Sequence, residues 1–421
     1  MKYAIVILGG AADEPQPALD GATPLVRAHT PALDRLAESA RLGQARFLPA
    51  QATPLVPPGP DAALLSLLGY NPARRYPGHG PLNALGQGLT PDQDDWVFNL
   101  SLLSVIDGVA QPTAGVAVPA GEAEALVRGL LEHLDLQGAA VHAARTSQDS
   151  APVHLLIDPA TLPNGATPRD WSEVVTQRPD DLAGQPLRKA MPVGGVAGEQ
   201  LQHMIEQAAA YLAQHELNQA RAEMGEPAVT HLWPWGQGRL LPPGGRPLKP
   251  WRDKFKVSAA VVSHDPAMRG VAKLAGLDAV APALGESDEV TLDLLYEAWH
   301  DALETHDLVI VHTDAPQRAA MRGGPRDKTD AIQRADTHLV APIHASLGSS
   351  GQPYRLLVTP LHATHAQAQR ERHDAVPFLL AGEKISSVVA RPMTESAAME
   401  ADLQVPFGHE MMEFFQRGGI R

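Results

Sequence analysis

Residues 3–8 form an unbroken apolar run that stops at Gly9-Gly10, and this predicts a buried strand opening into a turn. Residues 31–42 (PALDRLAESARL) predict a helix, with Pro31 in its first turn and Leu33, Leu36 and Ala37 on one face. The stretch 96–106 (WVFNLSLLSVI) reads as strand and ends at the turn pair Asp107-Gly108. An amphipathic helix is expected over 119–134, followed by a strand pair around AAVHAARTS and APVHLLIDP. A long helix is expected over 197–223 and a Trp-rich loop over 231–252. Beyond it, apolar runs (VSAAVVS, LVIVHTD, YRLLVTP) alternate with helical patterns such as TLDLLYEAWHDALETH.

Apolar strands separated by helices imply an α/β fold whose mixed, mostly parallel sheet is covered on both faces. Residues 109–180 break the alternation. They are the expected smaller inserted α+β cap domain, with 1–108 and 181–421 forming the core.

The 421 residues leave ample volume for a core, and 44% hydrophobic with 19% charged residues is a globular balance. Forty-eight acidic against 34 basic residues give a net charge of −14, which argues against a nucleic-acid surface. With no cysteine there is no disulfide, no thiolate metal ligand and no thiol nucleophile. No apolar run approaches the roughly 20 residues of a membrane span, and the N-terminal run is short for a signal peptide. A soluble, cytoplasmic protein is the expectation.

Gly9-Gly10 is followed by no third glycine in dinucleotide spacing, and no P-loop pattern occurs. From local sequence the pair is a tight turn. Four longer stretches say more: ATPLVRAHTPALDRLAESARLG at 22–43, PPGPDAALLSLLGYNPARRYPGHGPLNALGQG at 57–88, HLWPWGQG at 231–238 and HDAVPFLL at 373–380. In these motifs, and in their order, the chain resembles the archaeal-type cofactor-independent phosphoglycerate mutases of the alkaline phosphatase superfamily.

The resemblance implies an alkaline-phosphatase-like core with a cap. It also implies a glycolytic isomerase reaction, interconverting 2- and 3-phosphoglycerate through a phosphoserine with two divalent metals such as manganese or zinc. At the family's chemical positions this sequence departs from the pattern. The first-strand motif G-D-G-x-x-D, aligned on Asp13, has Gly9 at its metal-binding aspartate. The nucleophile motif P-P-G-S-D reads Pro57-Pro58-Gly59-Pro60-Asp61, so Pro60 occupies the serine position. In V-H-x-E-A-P-D-E-A-G-H the metal-binding Asp and His positions are Gln317 and Met321. The motif P-D-H reads Pro360-Leu361-His362, which keeps the histidine, and the last family histidine falls at Glu371.

The expectation is therefore a degenerate metal site, no cofactor and no confident catalytic residue. Asp61, His79, Asn83, His362 and His373 are candidates for a residual pocket, with His79 and Asn83 at positions where the family tends to carry Arg and Glu. His362, His365 and His373 have spacing that can serve a metal, although so polar a stretch is more often a solvated loop. Arg74-Arg75 can attract an anion, and Trp233 and Trp235 resemble a stacking pair, with solvation and loop packing as the plainer readings. His215, Asn218 and Arg221 match a family helix end without an evident role. A pseudoenzyme that binds a protein partner or a small phosphorylated ligand is the favoured reading. An active mutase and a metal-free enzyme working through Asp61, His362, Glu371 or His373 are the alternatives.

Overall fold

The computed structural model describes residues 1–48, 59–111, 118–136, 138–144, 153–160, 169–241, 246–387 and 389–418. Contacts divide them into two compact units. The first holds described residues of Met1–Ala50, Gly59–Tyr76 and Leu248–Arg421, and the second those of Pro77–Pro247.

The first unit is built on an eight-stranded sheet. In chain order its strands are β1 (Lys2–Leu8), β2 (Arg41–Ala45), β3 (Ala259–Ser263), β4 (Asp278–Val280), β5 (Leu308–Thr313), β6 (Tyr354–Thr359), β7 (Val376–Gly382) and β8 (Leu403–Val405). Across the sheet they run β4-β3-β5-β1-β6-β7-β2-β8. Strands β4 to β6 in this order are parallel, β7 is antiparallel to both neighbours, and β8 is parallel to β2. Residues 4–8 and 308–313 are buried throughout, as strands covered on both faces must be. The ends of β5, β1 and β6 lie side by side, with Leu8 opposite Thr313 and Ile7 opposite Thr359. Residues just beyond those ends share one edge of the sheet, the usual location of ligand sites in such folds.

In the second unit a four-stranded antiparallel sheet has the order Ala140–Ala144, Val153–Asp158, Trp96–Leu103, His231–Gly238. Phe98, Leu126, Leu130, Leu201, Leu212 and Leu232 close its core. The division differs from the expected insertion at 109–180. Trp96–Leu103 forms ladders with Val153–Asp158 and His231–Gly238, and the helix Gly195–Leu212 packs into the same core, so the unit extends in both directions. Of the expected insertion, 112–117, 145–152 and 161–168 lie outside the described residues.

Three local expectations are corrected. The helix at 31 ends at Ala37, and Arg41–Ala45 enters the sheet beside β7. The long helix is two, Gly195–Leu212 and Glu216–Glu223, with the His215 ring accepting from the Leu217 amide as an N-cap. HLWPWGQG is strand rather than loop; Pro234 is tolerated because this strand is at the sheet edge. Among the described residues no helix is long and apolar enough to cross a membrane.

Candidate functional site

Gly9 follows β1 directly and is buried, its amide bonded to the Thr313 carbonyl at 2.8 Å. A Cβ placed on Gly9 would stand 2.9 Å from His312 Nε2 and 3.0 Å from the Thr313 oxygen. Gly10 has φ +70°, and a Cβ there would meet Thr364 Oγ1 at 2.5 Å, so this turn requires glycine.

After β5 the chain turns into helix α1 (Ala315–Met321), which carries Gln317 on its first turns. The Gln317 amide N–H donates to the Gly9 carbonyl at 3.1 Å, tying the start of α1 to the end of β1. After β6, Leu361 sits at φ +62° and is only 1% exposed. Leucine in the left-handed region is uncommon, whereas aspartate and asparagine tolerate it better. The chain then forms a hairpin in which Thr364 is opposite Glu371. This hairpin delivers Glu371 to α1, where Gln317 Nε2 donates to Glu371 Oε1 at 2.6 Å. Met321, at the far end of α1, is half-buried.

Two buried ion-pair and hydrogen-bond systems brace this edge. Lys328, on helix α2 (Pro325–Ala335), donates to Asp13 Oδ2 at 3.0 Å, to the Ala12 carbonyl at 2.9 Å and to the Thr364 carbonyl at 2.6 Å. Burial pulls its ammonium down to about 8, with Asp13 opposing that shift. Asp13 also accepts from Gln16 and the Ala366 amide, and the Asp13 amide donates to Glu395, whose carboxyl burial pushes up. The second system is His312, 2% exposed, whose Nδ1 meets Ser263 Oγ at 3.0 Å. Burial holds its imidazole below the ordinary value.

The remaining expected residues divide between the two units. Pro60 opens the helix Pro60–Leu67 at its first position, where proline is favoured, and Pro57 and Pro58 lie outside the described residues. Asp61 is 1% exposed, accepting from the Tyr76 hydroxyl at 2.8 Å and the Ala62 amide at 2.9 Å. His362, also buried, follows Leu361 in the chain, and the half-buried His373 belongs to the same first unit. His79 and Asn83 belong to the second unit, His79 stacked on Trp235 at 4.8 Å and Asn83 donating to Asn99 at 2.8 Å. Trp235 therefore packs within its unit, and Trp233 is fully buried. Asn218 and Arg221 serve their helix end: Asn218 brackets Val229, and Arg221 pairs with Glu122 and Glu226. His365 pairs with Glu14 at 3.5 Å.

Tested against the two divalent metals of the resemblance, these donors do not fit. Gly9 offers no side chain, Leu361 an apolar one and Met321 a soft thioether, while the Gln317 amide is engaged by Glu371. Among the described residues no three His, Asp or Glu side chains gather in a way that could hold a metal ion. Ser263, His312, Lys328 and Thr364 were not singled out from sequence. A lysine inside an otherwise helical pattern carries no mark of burial, and His312 stood in a quoted motif without a role.

Residues 37–218 match the family model described as 2,3-bisphosphoglycerate-independent phosphoglycerate mutase. The protein of that name from Methanosarcina barkeri is 31% identical over 410 residues, covering 96% of this chain and 96% of the relative. Its namesake from Methanosarcina mazei is 32% identical over 386 residues, 90% of each. Among solved structures, a Pyrococcus horikoshii protein superposes with a TM-score of 0.72 at 24% identity, covering 99% of this chain and 96% of the other. A cofactor-independent phosphoglycerate mutase from Thermoplasma acidophilum gives 0.54 at 21% identity over all of both chains. These two likenesses speak for the fold.

Proposed function

Because the chain belongs to the 2,3-bisphosphoglycerate-independent phosphoglycerate mutase family, we propose that it is a member that has given up metal-dependent phosphoryl transfer and serves as a binding scaffold. The observation that carries this reading is the Gln317–Glu371 hydrogen bond, in which two positions aligned with metal ligands satisfy each other. A carboxylate there would need a cation, whereas an amide facing a carboxylate needs none. Pro60 points the same way, since it supplies no hydroxyl for a phosphoenzyme. Phosphoryl transfer rests on positioning and on offsetting charge on the moving group, and these residues supply neither a nucleophile nor a metal clamp.

What the chain's own residues do is hold the old edge of the sheet in shape. Lys328 fixes the loop after β1 to the hairpin after β6, and Gln317 fixes α1 to both. The occupant of such a scaffold is a small phosphorylated ligand or a protein partner. The names of the relatives favour a second reading, an active phosphoglycerate mutase. Manganese titration of chelator-treated protein by calorimetry separates the two. The scaffold reading expects no stoichiometric binding at micromolar metal, and saturable binding of one or two ions per chain would overturn it.

A further inference from the structure

His312 is a buried histidine whose two ring nitrogens are treated unequally. Ser263 Oγ already accepts from the Asp265 amide at 3.1 Å and lies 3.0 Å from His312 Nδ1. Assigning the hydroxyl hydrogen to Nδ1 uses both partners of Ser263 and leaves the proton of the neutral ring on Nε2. That Nε2 has no hydrogen-bond partner among the described residues. It stands 2.9 Å from where a Cβ on Gly9 would be. A buried donor without an acceptor is costly, and native structures rarely keep one without a reason.

We infer that Ser263 and His312 are a retained positioning relay, set to donate from Nε2 to a carboxylate on residue 9 that this chain no longer carries. The inference rests on the proposed loss of the first-strand aspartate, and it assigns that aspartate an outer partner within this chain. Ser263 holds the ring and its tautomer, and the ring would hold the carboxylate. Metal-ligating carboxylates are commonly oriented by such outer hydrogen bonds, which is the role the pair would fill toward a carboxylate on residue 9. Deeper in the same strand ends, Ser263 and His312 are 0% and 2% exposed, so neither is placed to meet a ligand arriving from solvent.

A stability cycle in chelator tests this without reference to metal or turnover. Gly9→Ala adds the crowding of a Cβ against His312 with nothing gained. Gly9→Asp adds the same Cβ together with an acceptor for Nε2. The folded-to-unfolded ratio of Gly9→Asp is expected to be at least tenfold above that of Gly9→Ala, and this advantage should shrink to within about twofold when His312→Phe is added to both. An Asp variant no better than the Ala variant, or an advantage that persists beside His312→Phe, would overturn the relay.

Should neither Gly9 variant fold, the double substitution Ser263→Ala with His312→Phe reads the same question from the other side. The variant gives up the acceptor that Ser263 offers the Asp265 amide, worth about tenfold at most, and should lose no more than that, because nothing present depends on Nε2. A loss beyond tenfold would show that the pair serves the existing fold and would contradict the inference. Absence of manganese binding with a failed cycle would sink the relay alone, whereas saturable manganese binding would sink the reading beneath it.

Discussion

Gln317 donates its amide to Glu371 across 2.6 Å, joining residues carried by α1 and by the hairpin after β6. In the family's pattern these positions are an aspartate and a histidine that need a metal between them. Here the contact needs nothing further. The sheet edge is closed by a hydrogen bond where the resemblance implies a cation.

Gln317→Asp removes the amide donor and sets a second carboxylate, one methylene shorter, facing Glu371. Both residues are half-buried, so the repulsion is partly screened, and the expected loss is about 1 kcal/mol at neutral pH. Combining Gln317→Asp with Glu371→Gln restores an amide–carboxylate pair and should recover most of it. Urea midpoints of the three proteins measure both effects; equal midpoints for the parent and Gln317→Asp would count against the contact.

Lys328→Met should be far more damaging. The ammonium is 0% exposed and makes three hydrogen bonds, so its loss leaves Asp13 as a buried charge without its cation. Removal of one partner of such a pair costs about 3–5 kcal/mol. Adding Asp13→Asn should return part of the loss, because the uncompensated charge goes with it. Thermal melts of the single and double variants provide the check, and a single variant within 1 °C of the parent would refute the assignment.

Acid should weaken the fold from about pH 6.5 downwards. Burial holds the imidazoles of His154, His231, His264, His312, His344 and His409 below their ordinary 6.5. As pH falls through 6.5 the unfolded chain takes up protons that the folded chain refuses, so unfolding gains free energy. Glu395 and Asp336, raised by burial, act in the opposite direction but are two against six. Urea unfolding at pH 7.5 and 5.5 should show the lower stability at 5.5. Equal or higher stability at 5.5 would be the contrary result.

The sheet was legible in the sequence because its central strands are buried on both faces and read as apolar runs, from AIVIL to LVIVHT. The inserted unit was harder to delimit. Its sheet pairs Trp96–Leu103 with His231–Gly238 across more than a hundred residues, and no local pattern announces a partner so distant. The departures at positions 9, 60, 317, 321, 361 and 371 were visible as letters. That Gln317 meets Glu371, and that Leu361 keeps a left-handed backbone fit for an aspartate, belongs to the hairpin and turn geometry. Asp61, His79 and Asn83 fall in one motif, but their partners were not legible there: Asp61 accepts from Tyr76, His79 stacks on Trp235 and Asn83 donates to Asn99.

Restoring the family set in one protein, as Gly9→Asp, Pro60→Ser, Gln317→Asp, Met321→His, Leu361→Asp and Glu371→His, should lower the melting temperature in chelator. The added carboxylates repel one another where the parent has neutral or bonded groups. Manganese should then recover part of the loss, since an ion bound by the folded state alone stabilises it by mass action. A variant that melts no lower than the parent and ignores manganese would show that the positions are misaligned.

The proposal that this member of the family no longer transfers phosphoryl groups is open to direct measurement. The direct measurement is phosphoglycerate mutase turnover of the purified parent chain, followed through enolase with 3-phosphoglycerate as substrate and manganese supplied. The expected rate is indistinguishable from the protein-free control, because a site proposed to lack both nucleophile and metal clamp would forgo several kcal/mol of stabilisation for each in the same transition state. Robust turnover that rises with manganese and is abolished by chelator would contradict it.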